Sequence, residues 1–339
     1  MENTRYIQAA DMHCDTISEL FERQRKGEPG NLFCNDGHID LQKMKKGNYI
    51  LQNFALYTHL KRESKPFAYA MELVDAFYEE LRPYSDWIEV ARTWQDIERN
   101  RREGKMSALL TIEEGGVCCG KLAYLRDFYR LGVRMMTLTW NFPNELGYPN
   151  RILPEGPDGV PSRTADTENG LTKTGIEFVR EMERLGMIVD VSHLNDAGIW
   201  DVFRYTKKPF VASHSNARAI ASHPRNLTDE MIRALAERGG VAGINFCASF
   251  LRDEENGGEP VHSYCHDMVL HMKHMKKIGG IECIGLGSDF DGIISKVEMA
   301  DCSAIGLLAD EMSRQGFTIS EIEAVFHGNV LRLYQELLR

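Results

Sequence analysis

Eight short apolar segments recur along this 339-residue chain, and stretches of helical character separate them. Each segment is only a few residues long and is bounded by polar or glycine residues, which is typical of buried strands. They occupy residues 6–12, 48–57, 106–112, 133–139, 187–191, 209–213, 240–246 and 283–287. Strands that alternate with helices predict a parallel sheet, and eight strands are the number that closes a (β/α)8 barrel. The sequence therefore predicts an α/β fold of the TIM-barrel type.

The segments between the strands have the spacing of amphipathic helices. The helix that opens at Pro66 places Ala70, Leu73, Val74 and Phe77 on one face. Further helices are predicted over residues 94–103, 122–131, 174–185, 229–237 and 265–277. The structural alternative is an open doubly wound sheet, but the G-x-G-x-x-G turn of that fold is missing after the first strand.

We expect residues 1–339 to form a single barrel domain, since the chain has neither repeats nor a linker and suits a barrel of roughly 250 residues with insertions. Residues 143–161 hold five of the eleven prolines, too many for a helix or a central strand. This segment follows a strand end directly, so we expect a long loop that forms a lid or wall of a functional site.

Composition narrows the class of protein. The formal net charge of -10 argues against a nucleic-acid partner, and no apolar stretch approaches the ~20 residues that a membrane span needs. The eight cysteines show no disulfide-framework spacing, and residues 1–10 do not resemble a signal peptide. We therefore expect a cytoplasmic protein with reduced thiols, no membrane partner, and assembly into a homo-oligomer as an open option.

Side chains that can bind metal or transfer protons stand at the carboxyl ends of five predicted strands. They are His13, Asp15, Glu113, His193, His214 and Asp289. Barrel active sites lie at this end, so we expect these side chains to converge. For the first pair alone the alternative is structural, with Asp15 as a helix N-cap beside a hydrogen-bonded histidine.

Imidazole nitrogens and carboxylate oxygens suit a divalent metal of the zinc type. Three histidines and two carboxylates, one of them bridging, suit two ions roughly 3.5–4 Å apart. Glu113 could span such a gap with its two oxygens. Glu114 points to the other face of the strand end, so we interpret it as a loop carboxylate. Asp291 is interpreted as part of a turn with Gly292.

Several longer motifs resemble the membrane (renal-type) dipeptidase family of zinc peptidases, in its soluble microbial branch. They follow one another in family order across nearly the whole chain. The matching stretches are residues 11–15 (DMHCD), 111–116 (TIEEGG), 138–141 (LTWN), 189–193 (VDVSH), 213–218 (SHSNAR), 223–226 (HPRN), 285–292 (GLGSDFDG) and 328–332 (GNVLR).

This resemblance implies a barrel hydrolase that uses two zinc ions, or other divalent metals, to cleave dipeptides, often with a D-residue at the C-terminal side. It implies that His13 and Asp15 bind one zinc, that His193 and His214 bind the other, and that Glu113 bridges them. A bridging hydroxide would attack the peptide carbonyl. Arg225 would hold the terminal carboxylate of the dipeptide, and Asp289 would pass the proton of the attacking water to the leaving amine.

Trp140 departs from the family pattern, because better-studied members have a histidine there that is thought to contact substrate and stabilise the oxyanion. The indole offers one N–H donor but no charge and no titratable proton. It could donate to the oxyanion, or it could form an apolar wall that favours a different substrate side chain.

Two other functions stay open at this stage. The same barrel and metals could hydrolyse another amide or a lactone, or the chain could be a catalytically silent binding protein. A serine hydrolase and a nucleotide-binding protein are disfavoured, because the chain has neither a G-x-S-x-G elbow nor a Walker loop. The histidines at 262, 266, 271 and 274 have near-helical spacing, and we interpret them as a solvated helix face rather than a further metal site.

Overall fold

The computed structural model describes residues 7–153, 162–253 and 261–339. Its strands are β1 (Ala9–Asp11), β2 (Tyr49–Tyr57), β3 (Ile88–Val90), β4 (Met106–Glu113), β5 (Met135–Thr137), β6 (Arg151–Leu153), β7 (Ser162–Thr164), β8 (Ile188–Asp190), β9 (Val211–Ala212), β10 (Val241–Ile244), β11 (His262–Ser263), β12 (Ile284–Leu286) and β13 (Lys296–Val297).

The α-helices pack outside the strands or close one end of the sheet. They are α1 (Thr16–Arg25), α2 (Leu41–Lys46), α3 (Pro66–Leu81), α4 (Trp94–Arg102), α5 (Leu122–Arg130), α6 (Lys173–Leu185), α7 (Asp196–Tyr205), α8 (Asp229–Glu237), α9 (Ala248–Leu251), α10 (Cys265–Gly279), α11 (Gly306–Arg314), α12 (Ile319–Glu323) and α13 (Asn329–Leu337). In the described ranges, no helix combines the length and the apolar character that crossing a bilayer would require.

Eight parallel strands close into a barrel, which confirms the predicted (β/α)8 fold. Their order around the barrel is β2-β1-β12-β10-β9-β8-β5-β4, and β4 pairs back with β2 from Leu51↔Ser107 to Tyr57↔Glu113. Parallel pairing places every carboxyl end at the same rim. Residues that follow different strands can therefore meet there.

Strand β3 was not predicted. It pairs with the first half of β4, from Ile88↔Met106 to Val90↔Ala108, whereas β5 pairs with the second half of β4. Three residues with a central glutamate do not form an apolar run, so the sequence pattern gave no signal for this strand.

The predicted helices form, and their apolar faces lie against the barrel. The predicted face of α3 is buried throughout, including Leu81 at its end. Helix α6 begins after Thr172, whose side chain accepts from the Gly175 N–H, and ends at Gly186 with a φ of 83°. That left-handed conformation is the usual helix stop at a glycine.

Helix α13 closes the end of the barrel opposite the rim at which the carboxyl ends of the strands lie. Its residues Val330, Leu333 and Tyr334 form one buried cluster with inward-facing strand residues such as Met12 and Leu109. The Tyr334 hydroxyl also accepts a hydrogen bond of 2.7 Å from the Asn53 side chain. The barrel interior next to α13 is therefore a packed apolar core, and polar side chains lie towards the rim at the carboxyl ends of the strands.

The proline-rich segment 143–161 is described only in part, because residues 154–161 lie outside the described ranges. Strands β6 and β7 on either side of that gap form an antiparallel pair, with Arg151↔Thr164 and Leu153↔Ser162 in register. The expectation of a lid or wall over residues 154–161 stays a prediction.

The interpretation of the four histidines as one solvated face is wrong for His271. That side chain is fully buried on α10, and its Nδ1 accepts from the Ala217 N–H at 3.0 Å. Its Nε2–H donates to the Leu251 carbonyl at 2.9 Å. His271 is thus a neutral core histidine that ties α10 to two loops, whereas His266 is largely exposed.

Candidate metal centre

The end of β1 delivers His13 and Asp15 to the rim. The chain leaves the strand after Asp11, whose carboxylate accepts from the His13 N–H at 3.2 Å. The His13 carbonyl accepts from the Asp289 N–H, and His13 is only 2% exposed. His13 Nε2 lies 3.4 Å from Asp15 Oδ2. The two side chains therefore share one buried position, as the i, i+2 spacing predicted.

Glu113, the last residue of β4, faces two groups of side chains with its two oxygens. Its Oε1 lies 2.9 Å from His193 Nε2 and 3.7 Å from His214 Nε2. Its Oε2 lies 3.5 Å from His13 Nε2. The carboxylate thus contacts His193 and His214 with one oxygen and His13 with the other, and the centres of the His13 and His214 rings themselves lie 4.0 Å apart.

We call His13, Asp15, Glu113, His193 and His214 the cluster. Hydrogen bonds from residues outside it orient two of its histidines. Ser213 Oγ donates to Asp190 Oδ2 at 2.6 Å, so it accepts from His214 Nδ1–H at 2.8 Å. In the same way His193 Nδ1–H donates to Asn141 Oδ1 at 2.9 Å. Both rings therefore present Nε2, with its lone pair, to Glu113. Orienting partners of this kind fix the ligand tautomer in metal sites.

These orienting residues were not assigned by the sequence reasoning, although each stands inside a motif quoted above. Asp190 offered a signal, because a carboxylate in the middle of an apolar strand needs a partner. Asn141 and Ser213 offered none, since small polar residues at strand ends are common.

His193 of the cluster and Asp289 have left-handed backbone conformations, with φ of 69° at His193 and 60° at Asp289. Such conformations are unfavourable for residues other than glycine and concentrate at functional sites. Here they follow directly after strand ends and turn the side chains into the rim.

Asp289 lies at the border of the cluster. Its Oδ1 is 3.7 Å from His13 Nε2, and its Oδ2 accepts from Asn245 Nδ2 at 2.9 Å. Ligand atoms of His13, Asp15 and Asp289 lie within 4.8 Å of one another, as do those of His13, Glu113 and His214. Asp289 can therefore either ligate or exchange a proton at this position.

Glu114 and Asp291 anchor loops outside the cluster. Glu114 is buried and accepts from the backbone N–H groups of Gly116 at 2.8 Å and Trp140 at 3.1 Å, so it ties the end of β4 to the segment after β5. Asp291 has a φ of 66° and accepts from Thr16 Oγ at 2.7 Å. These placements agree with the interpretation of Glu114 as a loop carboxylate and of Asp291 as part of a turn with Gly292.

Arg225 is buried, with 6% of its surface exposed, and its guanidinium lies 5.1 Å from the centre of the Phe250 ring. Within the described residues, none of its three side-chain nitrogens has a hydrogen-bond partner. Arg218 in the same loop differs, because it donates to both oxygens of Asp196 at 2.7 and 2.8 Å. In the part of the chain that the structure describes, Arg225 therefore forms no salt bridge of the kind that Arg218 makes.

A cavity of about 530 Å³ opens over the cluster. Asp15, Glu113, His193 and Asp289 line it, and so does Trp140, whose ring centre is 6.1 Å from that of His193. Phe250 lines the cavity, and Arg225 packs on the Phe250 ring without being a lining residue itself. Enclosure of this kind is the usual setting of a small-molecule site.

The electrostatics of the cluster favour a bound cation. Burial, followed by the neighbouring charge of Asp15, raises the pKa of Glu113 to about 8. Burial lowers the pKa of His193 and of His214, which keeps both rings neutral and able to ligate. Gathering carboxylates in a buried site is unfavourable unless positive charge offsets them.

Unpartnered atoms support the same conclusion. Among the described residues, His13 Nε2, Asp15 Oδ1 and His214 Nε2 are buried without a hydrogen-bond partner. Buried polar atoms normally find one. A set of imidazole nitrogens and carboxylate oxygens fits zinc or a similar divalent metal, so the residues present fit the group that the resemblance implies.

Known proteins share sequence with this chain over most of its length. Residues 4–338 match the membrane dipeptidase family, peptidase family M19. The chain is 34% identical over 242 residues to an uncharacterized protein from the pqqA 5′ region of Klebsiella pneumoniae, covering 71% of this chain and 86% of that protein. It is 31% identical over 318 residues to an uncharacterized dipeptidase of Schizosaccharomyces pombe, covering 88% and 72%.

Solved structures share the whole barrel. A metallo peptidase from Rhodobacter sphaeroides, liganded with a phosphinate mimic of the dipeptide L-Ala-D-Ala, superposes with a TM-score of 0.87 at 27% identity, covering 98% of this chain and 99% of that one. A metallo peptidase of family M19, dipeptidase AC, gives a TM-score of 0.85 at 28% identity with the same coverage. The family match over nearly all residues confirms the resemblance, and this chain belongs to the membrane dipeptidase family of metal-dependent peptidases.

Proposed function

We propose that this enzyme hydrolyses dipeptides, with L- or D-residues at the second position, by means of two divalent metal ions, zinc in the first instance. The observation that carries the proposal is the position of Glu113 among the candidate ligands, with Oε1 nearest His193 and Oε2 nearest His13. His13 and Asp15 would hold one ion, His193 and His214 the other, and Glu113 both. Family membership and the dipeptide mimic bound by the Rhodobacter sphaeroides protein support it.

Arg225 would select the substrate. A guanidinium fork matches a carboxylate with two parallel hydrogen bonds, and the unpartnered donors of Arg225 are buried beside the cavity wall at Phe250. A terminal carboxylate of the substrate would satisfy them. This contact would place the C-terminal peptide bond of a substrate at the cluster, and in a dipeptide that is the scissile bond.

Asp289 would transfer a proton from the attacking water to the leaving amine. When bound, two such cations polarise the scissile carbonyl and lower the pKa of the attacking water. Hydrolysis breaks the C–N bond and forms a C–O bond, and one proton of the water ends on the leaving nitrogen. Asn245 fixes one Asp289 oxygen and leaves the other directed towards His13, where it can accept that proton and donate it to the amine.

The test combines metal analysis with a substrate panel. We expect the purified enzyme to bind two equivalents of zinc and to cleave L-L and L-D dipeptides but not their C-terminal amides. His193→Ala should abolish turnover, and His266→Ala, a matched change at a largely exposed histidine, should not. Failure of metal-loaded, folded enzyme to cleave any dipeptide would refute the proposal, and equal cleavage of the amides would point to a different amide hydrolase. A cytoplasmic location and a homo-oligomer stay predictions from the sequence.

A further inference from the structure

Three rings form one side of the cavity, and we call Tyr57, His59 and Trp140 the aromatic wall. The ring centre of Trp140 lies 4.9 Å from that of Tyr57 and 5.4 Å from that of His59. All three side chains line the cavity. Phe142 packs against Trp140 with ring centres 5.5 Å apart and so supports the wall.

The wall faces the predicted carboxylate site across the metal cluster. Tyr57 and His59 lie at the end of β2, and Trp140 follows β5, so they flank Glu113 at the end of β4. Arg225 lies between β9 and α8, and Phe250 follows β10. In the closed strand order, β10 is four strands from β4 in either direction, and β9 is three strands from β4. Arg225 and Phe250 therefore stand on the other side of the rim.

The wall carries no charge near neutral pH. Burial raises the pKa of Tyr57 and lowers the pKa of His59, so both favour their neutral forms. Trp140 has no ionisable group. A surface of neutral rings binds flat or bulky apolar groups well, because aromatic faces offer large contact areas and favourable ring-to-ring geometries.

We propose that the aromatic wall binds the side chain of the first residue of the dipeptide and selects for a large apolar or aromatic one. This inference rests on the proposed function. With the terminal carboxylate at Arg225, the second residue lies near β9 and β10. The Cα of the first residue is about 3.8 Å from that of the second, so the first residue extends over Glu113 towards the wall.

The experiment compares kcat/KM of the metal-loaded enzyme for Ala-Ala, Phe-Ala and Ala-Phe. We expect Phe-Ala to exceed Ala-Ala by about tenfold or more, a usual range for an apolar pocket, and Ala-Phe to show no comparable gain. Trp140→Ala should lower the Phe-Ala to Ala-Ala ratio by about tenfold. Trp200→Ala is the matched control, because Trp200 is 40% exposed on α7 and belongs to another surface.

Three results would overturn the subsite. They are an unchanged Phe-Ala to Ala-Ala ratio in Trp140→Ala, a wild-type preference for a bulky side chain at the second residue, and equal cleavage of all three peptides. Trp140→Leu provides the comparison if the alanine variant does not fold, and the wild-type ratios test the proposal without any variant. If the zinc-loaded wild type cleaves none of the three peptides, the dipeptidase proposal fails and takes the subsite with it. Equal cleavage of all three refutes only the subsite.

Discussion

Replacement of Arg225 by methionine should separate activity from stability. Its guanidinium is buried and has no hydrogen-bond partner within the described residues, so its removal costs the fold the packing on Phe250 but no hydrogen bond. Hydrogen bonds to charged groups contribute about 1.5–3 kcal/mol each, and a fork donates two of them. The loss of about 3–6 kcal/mol corresponds to roughly a 10²- to 10⁴-fold fall in kcat/KM.

The free energy of unfolding of Arg225→Met should rise or stay unchanged, although its activity falls. Burying a charge without a partner is costly, and methionine fills most of the same volume with apolar atoms. Arg218→Met is the matched control in the same loop, since it breaks the two contacts with Asp196 and leaves that carboxylate buried. We expect it to destabilise the protein by up to about 3 kcal/mol.

The assay pairs steady-state kinetics on a dipeptide with urea denaturation of the metal-loaded protein, for the wild type and both variants. Arg225→Met should lose activity while its unfolding midpoint stays or rises. If it instead unfolds at lower urea, as Arg218→Met is expected to do, then Arg225 has a structural partner and the carboxylate argument is wrong. Unaltered kcat/KM would also refute it.

Two further predictions concern residues outside the metal cluster. Ser213→Ala removes the hydroxyl between Asp190 and His214 Nδ1, so zinc affinity measured by chelator competition should fall roughly 10- to 100-fold. Ser213→Thr keeps a hydroxyl and should retain most of the wild-type affinity. Equal zinc affinities of Ser213→Ala and the wild type would exclude this orienting role. Burial lowers the pKa of His271 to about 4, so between that pH and its ordinary value of 6.5 the unfolded chain binds a proton that the fold excludes. The free energy of unfolding of the metal-free protein should therefore fall by up to about 3 kcal/mol as the pH drops through this window, and the slope should be shallower in His271→Asn, an outcome that denaturation at pH 4.5 and 7 would test.

The barrel was predictable because its strands are buried on both faces and so appear as apolar runs. Strand β3 was missed, since Ile88–Val90 is short and obtains its stability from the edge of β4 rather than from its own pattern. Helix α10 shows another limit. The sequence cannot tell that its His271 faces a loop instead of solvent, because the covering segment around Leu251 is distant along the chain.

Candidate ligands were predictable from their place after strands, whereas the residues that orient them were not. Which nitrogen of His214 faces Glu113 depends on Ser213 and Asp190, and only the folded rim brings that carboxylate near. The lack of a partner for Arg225 is likewise a property of the packed loop. Sequence reasoning could name the residue type but not its burial.

The first and last strands of the barrel meet along a seam. Hydrogen bonds join Met12 N–H to the Leu286 carbonyl and Asp15 N–H to the Phe290 carbonyl across it. His13 and Asp15 stand on one border and Asp289 on the other, so side chains from both ends of the chain meet at this seam. At roughly 5–20 residues per second, a ribosome needs on the order of 15–55 s between making the first border and the second. The candidate site is therefore complete only late in synthesis, when the last strand pairs with the first.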